Sequence, residues 1–102
     1  MATKVFYGSE LKLSISIEPI SDYTMDDYDF EVNVCNKVTI TKEEAIRVDE
    51  DSYIICLDTK KLGLGAIRCT VTAHIPDEDF GDDGHRTEVV SIDTGITVVK
   101  TF

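Results

Sequence analysis

The sequence predicts an all-β fold, a seven-stranded antiparallel immunoglobulin-like β-sandwich with one or two short helical turns. Three observations predict it. Short apolar runs alternate with polar residues at a period of two, the pattern of strands buried on one face. These runs recur about every ten residues between turn-forming segments, the rhythm of a sandwich. No long helical period and no internal repeat interrupts them.

Leu11, Leu13, Ile15 and Ile17 alternate with Lys12, Ser14, Ser16 and Glu18 in the first strand, which Pro19 stops. Phe30, Val32 and Val34 alternate with Glu31, Asn33 and Cys35 in the second. Asn36-Lys37 then reads as a tight hairpin connection to Val38 and Ile40, the third. Thr41 with Glu44 three residues on matches a capping box, so a helical turn is expected ahead of Ala45 and Ile46. Tyr53, Ile55 and Leu57 make the fourth strand, with Ile54 and Cys56 rendering its second face partly apolar. Asp58 to Gly63 reads as a cap, one turn and a glycine stop. Ile67, Cys69, Val71, Ala73 and Ile75 form the longest alternation, ended by Pro76. Val90 with Ile92, a Thr94-Gly95 turn, and Ile96 with Val98 complete the seven.

Residues 1–10 form an N-terminal arm or a short edge strand at Val5–Tyr7. A length of 102 residues suits one domain, 1–102, around one core. The chain has no Trp, so aliphatic packing around Phe30, Tyr53 and Ile67 replaces the Cys…Trp…Cys core of immunoglobulin domains.

The net charge is −10, from 20 acidic and 10 basic residues. That excess argues against nucleic acid, whose binding rests on Lys and Arg neutralising phosphates. An anionic membrane surface is disfavoured for the same reason. No apolar stretch approaches the roughly 20 residues of a membrane-spanning helix. Met1 to Leu11 holds Lys4, Ser9 and Glu10 and lacks the apolar middle of a signal peptide, so a cytoplasmic site of synthesis is expected. Cys35, Cys56 and Cys69 are odd in number and lack metal-ligand spacing, so buried free thiols are expected.

Acidic residues concentrate in three runs, Asp22–Asp29, Glu43–Asp51 and Asp77–Asp83. Successive strands reverse direction, so all three runs fall at one end of the sandwich, with Asp26, Asp27, Asp49 and Asp51 among them. Lys60 and Lys61, with Lys37 and Arg68, fall at the other. These six named first, the four aspartates and the two lysines, are the candidate interaction residues. The same parity places Leu11 at the basic end and the close of the last strand at the acidic end. Solvated loops, docking against a basic surface or another copy, and a Ca²⁺ site are all open uses of the acidic end.

The segment Pro76 to His85 looks most like a site, with Asp77, Asp79, Asp82 and Asp83 as weak Ca²⁺ candidates. It fails the EF-hand pattern, because Gly81 stands where an oxygen ligand belongs and Asp82 where the glycine belongs. Phe80 is expected to fold back as an apolar plug, and His74 to be exposed. No nucleophile motif such as G-x-S-x-G, no zinc-ligand set and no phosphate-binding glycine loop is present, so no enzyme and no cofactor is expected.

Several segments together carry a resemblance. They are Tyr28-Asp29-Phe30-Glu31-Val32, Ile46-Arg47-Val48-Asp49, Tyr53 to Thr59, Gly63-Leu64-Gly65, Val71 to Asp77, and Arg86-Thr87-Glu88-Val89. In that order they resemble small immunoglobulin-like structural proteins of tailed phages and prophages of Bacteroides-type bacteria. The strand rhythm is also similar to the amino-terminal sandwich of phage baseplate and fibre proteins. The resemblance implies a non-enzymatic structural or attachment module, made in the bacterial cytoplasm and assembled into a virion. Its partners would be other virion proteins or copies of itself. Such modules lack catalysis, so no functional residue carries over. A calcium- or carbohydrate-binding sandwich using the Asp77–His85 loop, with Tyr23, Tyr28 and Phe80 beside it, is the alternative.

Overall fold

The computed structural model describes residues 3–81 and 84–100, and nearly all of their ordered structure is β. β1 (Thr3–Phe6), β8 (His85–Val99), β7 (Gly65–Pro76), β3 (Asp29–Val34) and β4 (Val38–Thr41) form a five-stranded sheet in that order. β2 (Glu10–Ser16), β6 (Ser52–Asp58) and β5 (Ile46–Asp49) form a three-stranded sheet. Neighbours are antiparallel except β1, which runs parallel to β8. A 3-10 turn at Lys42–Glu44 carries the chain into the smaller sheet, and helix α1 (Thr59–Leu62) carries it back.

The alternation dictates what is buried. Phe30, Val32 and Val34 of β3 and the odd-numbered Ile67 to Ile75 of β7 face Ile15, Tyr53, Ile55 and Leu57 from the smaller sheet across one apolar core. Phe30 sits at its centre, edge-on to Tyr53 at 5.1 Å and to Tyr28 at 6.3 Å. Fully burying each such side chain contributes roughly 1.5–3 kcal/mol.

Both expected helical turns are present. Glu44 accepts from the backbone and the hydroxyl of Thr41, each at 3.1 Å. Asp58 accepts from the Lys60 N–H at 3.0 Å, and Gly63, at φ 81°, ends α1. In the β3–β4 hairpin, Cys35 and Asn36 both take positive φ, 55° and 56°, as a primed turn requires.

The strand inventory differs from the expected seven, since the described residues hold eight. β5 lies within the second acidic run, and its burial pattern is exposed throughout, so its apolar residues gave no inward-facing signal. The Val90–Ile92 and Ile96–Val98 segments are one strand of 15 residues. Thr94-Gly95 is a bulge in it rather than a turn. Arg68 pairs with Asp93 while Ala66 pairs with Thr97, so two extra residues are accommodated on β8. Thr94 clamps the bulge by donating its hydroxyl to the Ile67 carbonyl at 2.8 Å, and Gly95 supplies φ 72°.

One consequence corrects the expected chain path. β8 is the longest described strand, in a molecule of 53 × 25 × 24 Å, and ends beside β1, where Tyr7 donates to the Val99 carbonyl at 2.8 Å. Its close therefore lies at the same end as Leu11, and not at the acidic end.

Candidate interaction surfaces

The first and third acidic runs meet Asp49–Asp51 at one end, but the start of the second run does not join them, since Glu44 lines a depression with Asp58, Lys61 and Leu62. Met25 donates to the Glu50 carbonyl at 2.9 Å and Ile17 to that of Asp51 at 3.1 Å, binding the β2–β3 loop to the β5–β6 turn. Arg86 donates to the Ser21 hydroxyl at 2.7 Å and lies 3.7 Å from Asp77, tying in the β7–β8 loop.

Much of this acidity is already engaged within the chain. Asp26 is gripped by Arg47, whose Nε and Nη2 donate at 2.8–3.0 Å, and by the Tyr53 hydroxyl at 2.5 Å. The Arg47 and Tyr53 hydrogen bonds hold the Asp26 carboxyl down to about 2. Burial and the Asp26 hydrogen bond push Tyr53 up to about 12. Asp26 is thus a latch pinning β5 over the core, and Arg47 is the residue that sequence reasoning missed. Asp27 accepts from the Thr24 backbone and hydroxyl, Asp49 accepts from the Asp51 N–H, and Asp51 lies beside the buried Tyr28 phenol, which burial and then Asp51 shift upward. Lys42 donates to the carbonyls of Asp26 and Tyr28 at 3.1 and 2.8 Å.

The β7–β8 loop makes one wall of a groove of about 600 Å³ lined by Ser21, Tyr23, Asp77, Glu78 and Asp79. Asp77 accepts from the Asp79 N–H at 3.0 Å and faces Arg86; Asp82 and Asp83 lie outside the described residues. Among the described residues no group of three or more His, Cys, Asp and Glu gathers to hold a metal. Phe80 is 52% exposed, so it is no plug; its side chain projects from a loop whose ends are already joined by Asp77 and Gly84. Tyr23 is the second exposed aromatic here, whereas Tyr28 is buried.

No family model, curated protein or solved structure matches the chain.

The opposite end carries Lys37, Lys60 and Lys61, both helix lysines being exposed. It also holds Glu10 and Asp58, which face each other across β2 and β6. The basic end is therefore less basic than the loop count implied. Above it, Asn33, Asn36, Arg68, Thr70, Ser91 and Asp93 line a polar depression of about 360 Å³ on the outer face of the larger sheet. His74 is part-exposed on that face, 3.5 Å from Glu31. The cysteines are free thiols, but only Cys69 is buried; Cys56 is exposed on the outer face of the smaller sheet, opposite Lys12. Among the described residues no helix is long and apolar enough to cross a membrane.

Proposed function

We propose that this chain is a non-enzymatic structural or attachment module of a phage or prophage particle, acting through protein–protein contacts. The strand order supports the immunoglobulin-like reading. Lettered in chain order from β2, the smaller sheet is B-E-D and the larger is G-F-C with one further strand, while β1 occupies the G edge. The observation that carries the reading is the segregation of charge along a 53 Å axis, with carboxylates crowded at one end and exposed Lys60 and Lys61 at the other. Internal ligation of Asp26, Asp27 and Asp77 leaves Glu50, Glu78 and Asp79 among the outward charges, a shape suited to a basic partner surface.

Exposed ion pairs contribute about 0–1 kcal/mol each, so such a contact is weak singly and gains strength from repetition in a particle. Two measurements test the reading. In particle-containing lysates of the source cells, the chain should co-sediment with virion-sized particles and be released by high salt. Recovery only from the soluble fraction would refute the assignment. Binding to isolated particles should also weaken with Lys60→Glu plus Lys61→Glu or with acid-to-amide changes at Glu78 and Asp79. The groove beside Tyr23 favours a second reading, a calcium- or carbohydrate-binding sandwich, which millimolar Ca²⁺ or a glycan panel in calorimetry would reveal.

A further inference from the structure

The upper part of β8 has a long edge with no neighbouring strand among the described residues. β1 accompanies β8 only from Ile96 to Val99, so the segment 86–93 has β7 on one side and no strand on the other. Ladder parity says which backbone groups face that open side. Asp77 donates to the Gly84 carbonyl at the mouth of the hairpin, so the even-numbered Arg86, Glu88, Val90 and Ile92 bond to β7. The N–H and C=O groups of Thr87, Val89, Ser91 and Asp93 therefore point outward. The same four residues carry their side chains on the outer face, and Val89 is 60% exposed, the most exposed large hydrophobic residue described.

The other free edges are protected by lysines or by being short. β1 and β2 present Lys4 and Lys12 on their edges, and β4 and β5 are only four residues long, β5 with a bulge. The segment 86–93 has neither a lysine nor a proline, its bulge comes only after it ends, and its two inward charges, Arg86 and Glu88, lie 3.6 Å from each other.

We propose that this edge pairs antiparallel with the same edge of a second copy, centred on Val89, so that two five-stranded sheets become one continuous sheet. The register that uses all of residues 86–92 is chemically self-complementary. Val89 meets Val89 and Thr87 meets Ser91. On the inner face Glu88 falls opposite Val90 and Arg86 opposite Ile92, so no like charges meet directly. A shift of one copy by two residues one way would oppose Glu88 with Glu88; the other way would shorten the ladder. The contact is isologous and closed, with up to about six interstrand hydrogen bonds. It uses a flank that the end-to-end charge contact does not, so neither reading depends on the other.

Sedimentation equilibrium over a concentration series, at low and high salt, tests the pairing. Association should persist in high salt. Val89→Pro removes an N–H that β7 does not use, so the fold should remain while the dimer dissociation constant rises by about tenfold or more. Val89→Lys, which sets two ammonium groups across the twofold, should do the same, and serves if the proline variant loses its far-UV circular dichroism. Amide exchange at Thr87, Val89 and Ser91 should slow with rising protein concentration, while that at Lys12 and Ser14 on the β2 edge should not. A monomer throughout, or association that both Val89 variants retain, overturns the pairing. Association abolished by salt and by Lys60→Glu plus Lys61→Glu also overturns it, and leaves the end-to-end contact of the proposed function standing. Loss of the dimer in the Val89 variants alone, with particle binding intact, supports the pairing and separates it from that contact.

Discussion

Among the described residues Thr59 is the one buried polar residue outside the tyrosines and cysteine of the core, fully inaccessible at 0% exposure, and its hydroxyl joins two corners of the fold. It donates to the Ser9 carbonyl at 2.8 Å and accepts from the Gly8 N–H at 2.8 Å, locking the β1–β2 turn onto α1. Thr59→Val keeps the side-chain shape and removes both bonds. The Ser9 carbonyl keeps the Thr59 N–H, at 3.1 Å, but the Gly8 N–H loses its acceptor. Gly8 is exposed, so water can take the place of the lost acceptor, and the two lost hydrogen bonds cost about 0.5–1.5 kcal/mol net each, an expected loss of about 1–3 kcal/mol. For a domain of this size that lowers Tm by roughly 5–20 °C. Thr59→Ser is the control, since it keeps both bonds and gives up one methyl group, about 1 kcal/mol. Urea titrations of the three proteins, read at equal m-value, measure the differences. A valine variant as stable as the parent, or a serine variant less stable than the valine one, would refute the hydrogen-bonding role.

Two further outcomes are expected. Asp26 is held at about 2, below its ordinary 3.8, so its contribution to stability is complete above 3.8 and is lost as pH falls through about 2. The urea midpoint of the parent should therefore drop more steeply across that window than that of Asp26→Asn, and equal slopes would dismiss the latch. Cys69 is pushed up to about 11, chiefly by burial and also by neighbouring Cys35. A thiol reagent at neutral pH, followed by mass spectrometry, should modify exposed Cys56 first and Cys69 only after unfolding; early labelling of Cys69 would contradict its burial.

The strands legible in the sequence are those whose apolar residues point one way. β2, β3, β6 and β7 alternate cleanly because one face meets the core, and both caps were readable because capping uses side chains close in sequence. β5 was not legible, since an edge strand that packs Arg47 against Asp26 and leaves Ile46 and Val48 exposed carries no inward apolar row. The bulge misled differently. Thr94-Gly95 has turn chemistry, yet Val90, Ile92, Ile96 and Val98 share one parity, and that parity was the available sign of a single strand. The grouping of Asp22–Asp29, Asp49–Asp51 and Asp77–Asp79 was legible from strand reversal, but the place of Glu44 beside Lys61 was not, because the turn after β4 crosses between sheets instead of reversing. The internal partners Arg47, Lys42 and Arg86 were not legible either, because pairing across 9 to 21 residues is set by the fold.

The parallel pairing of β1 with β8 gives the molecule a direction under load. Thr3 pairs with Ile96 and Phe6 with Val99, so a pull toward the start of β1 and an opposing pull toward the end of β8 slide the two strands past one another. Every rung of that short ladder then resists at the same moment. An antiparallel hairpin pulled at its open end would instead yield one bond at a time. Tension applied through these two strands meets a clamp before it reaches the core.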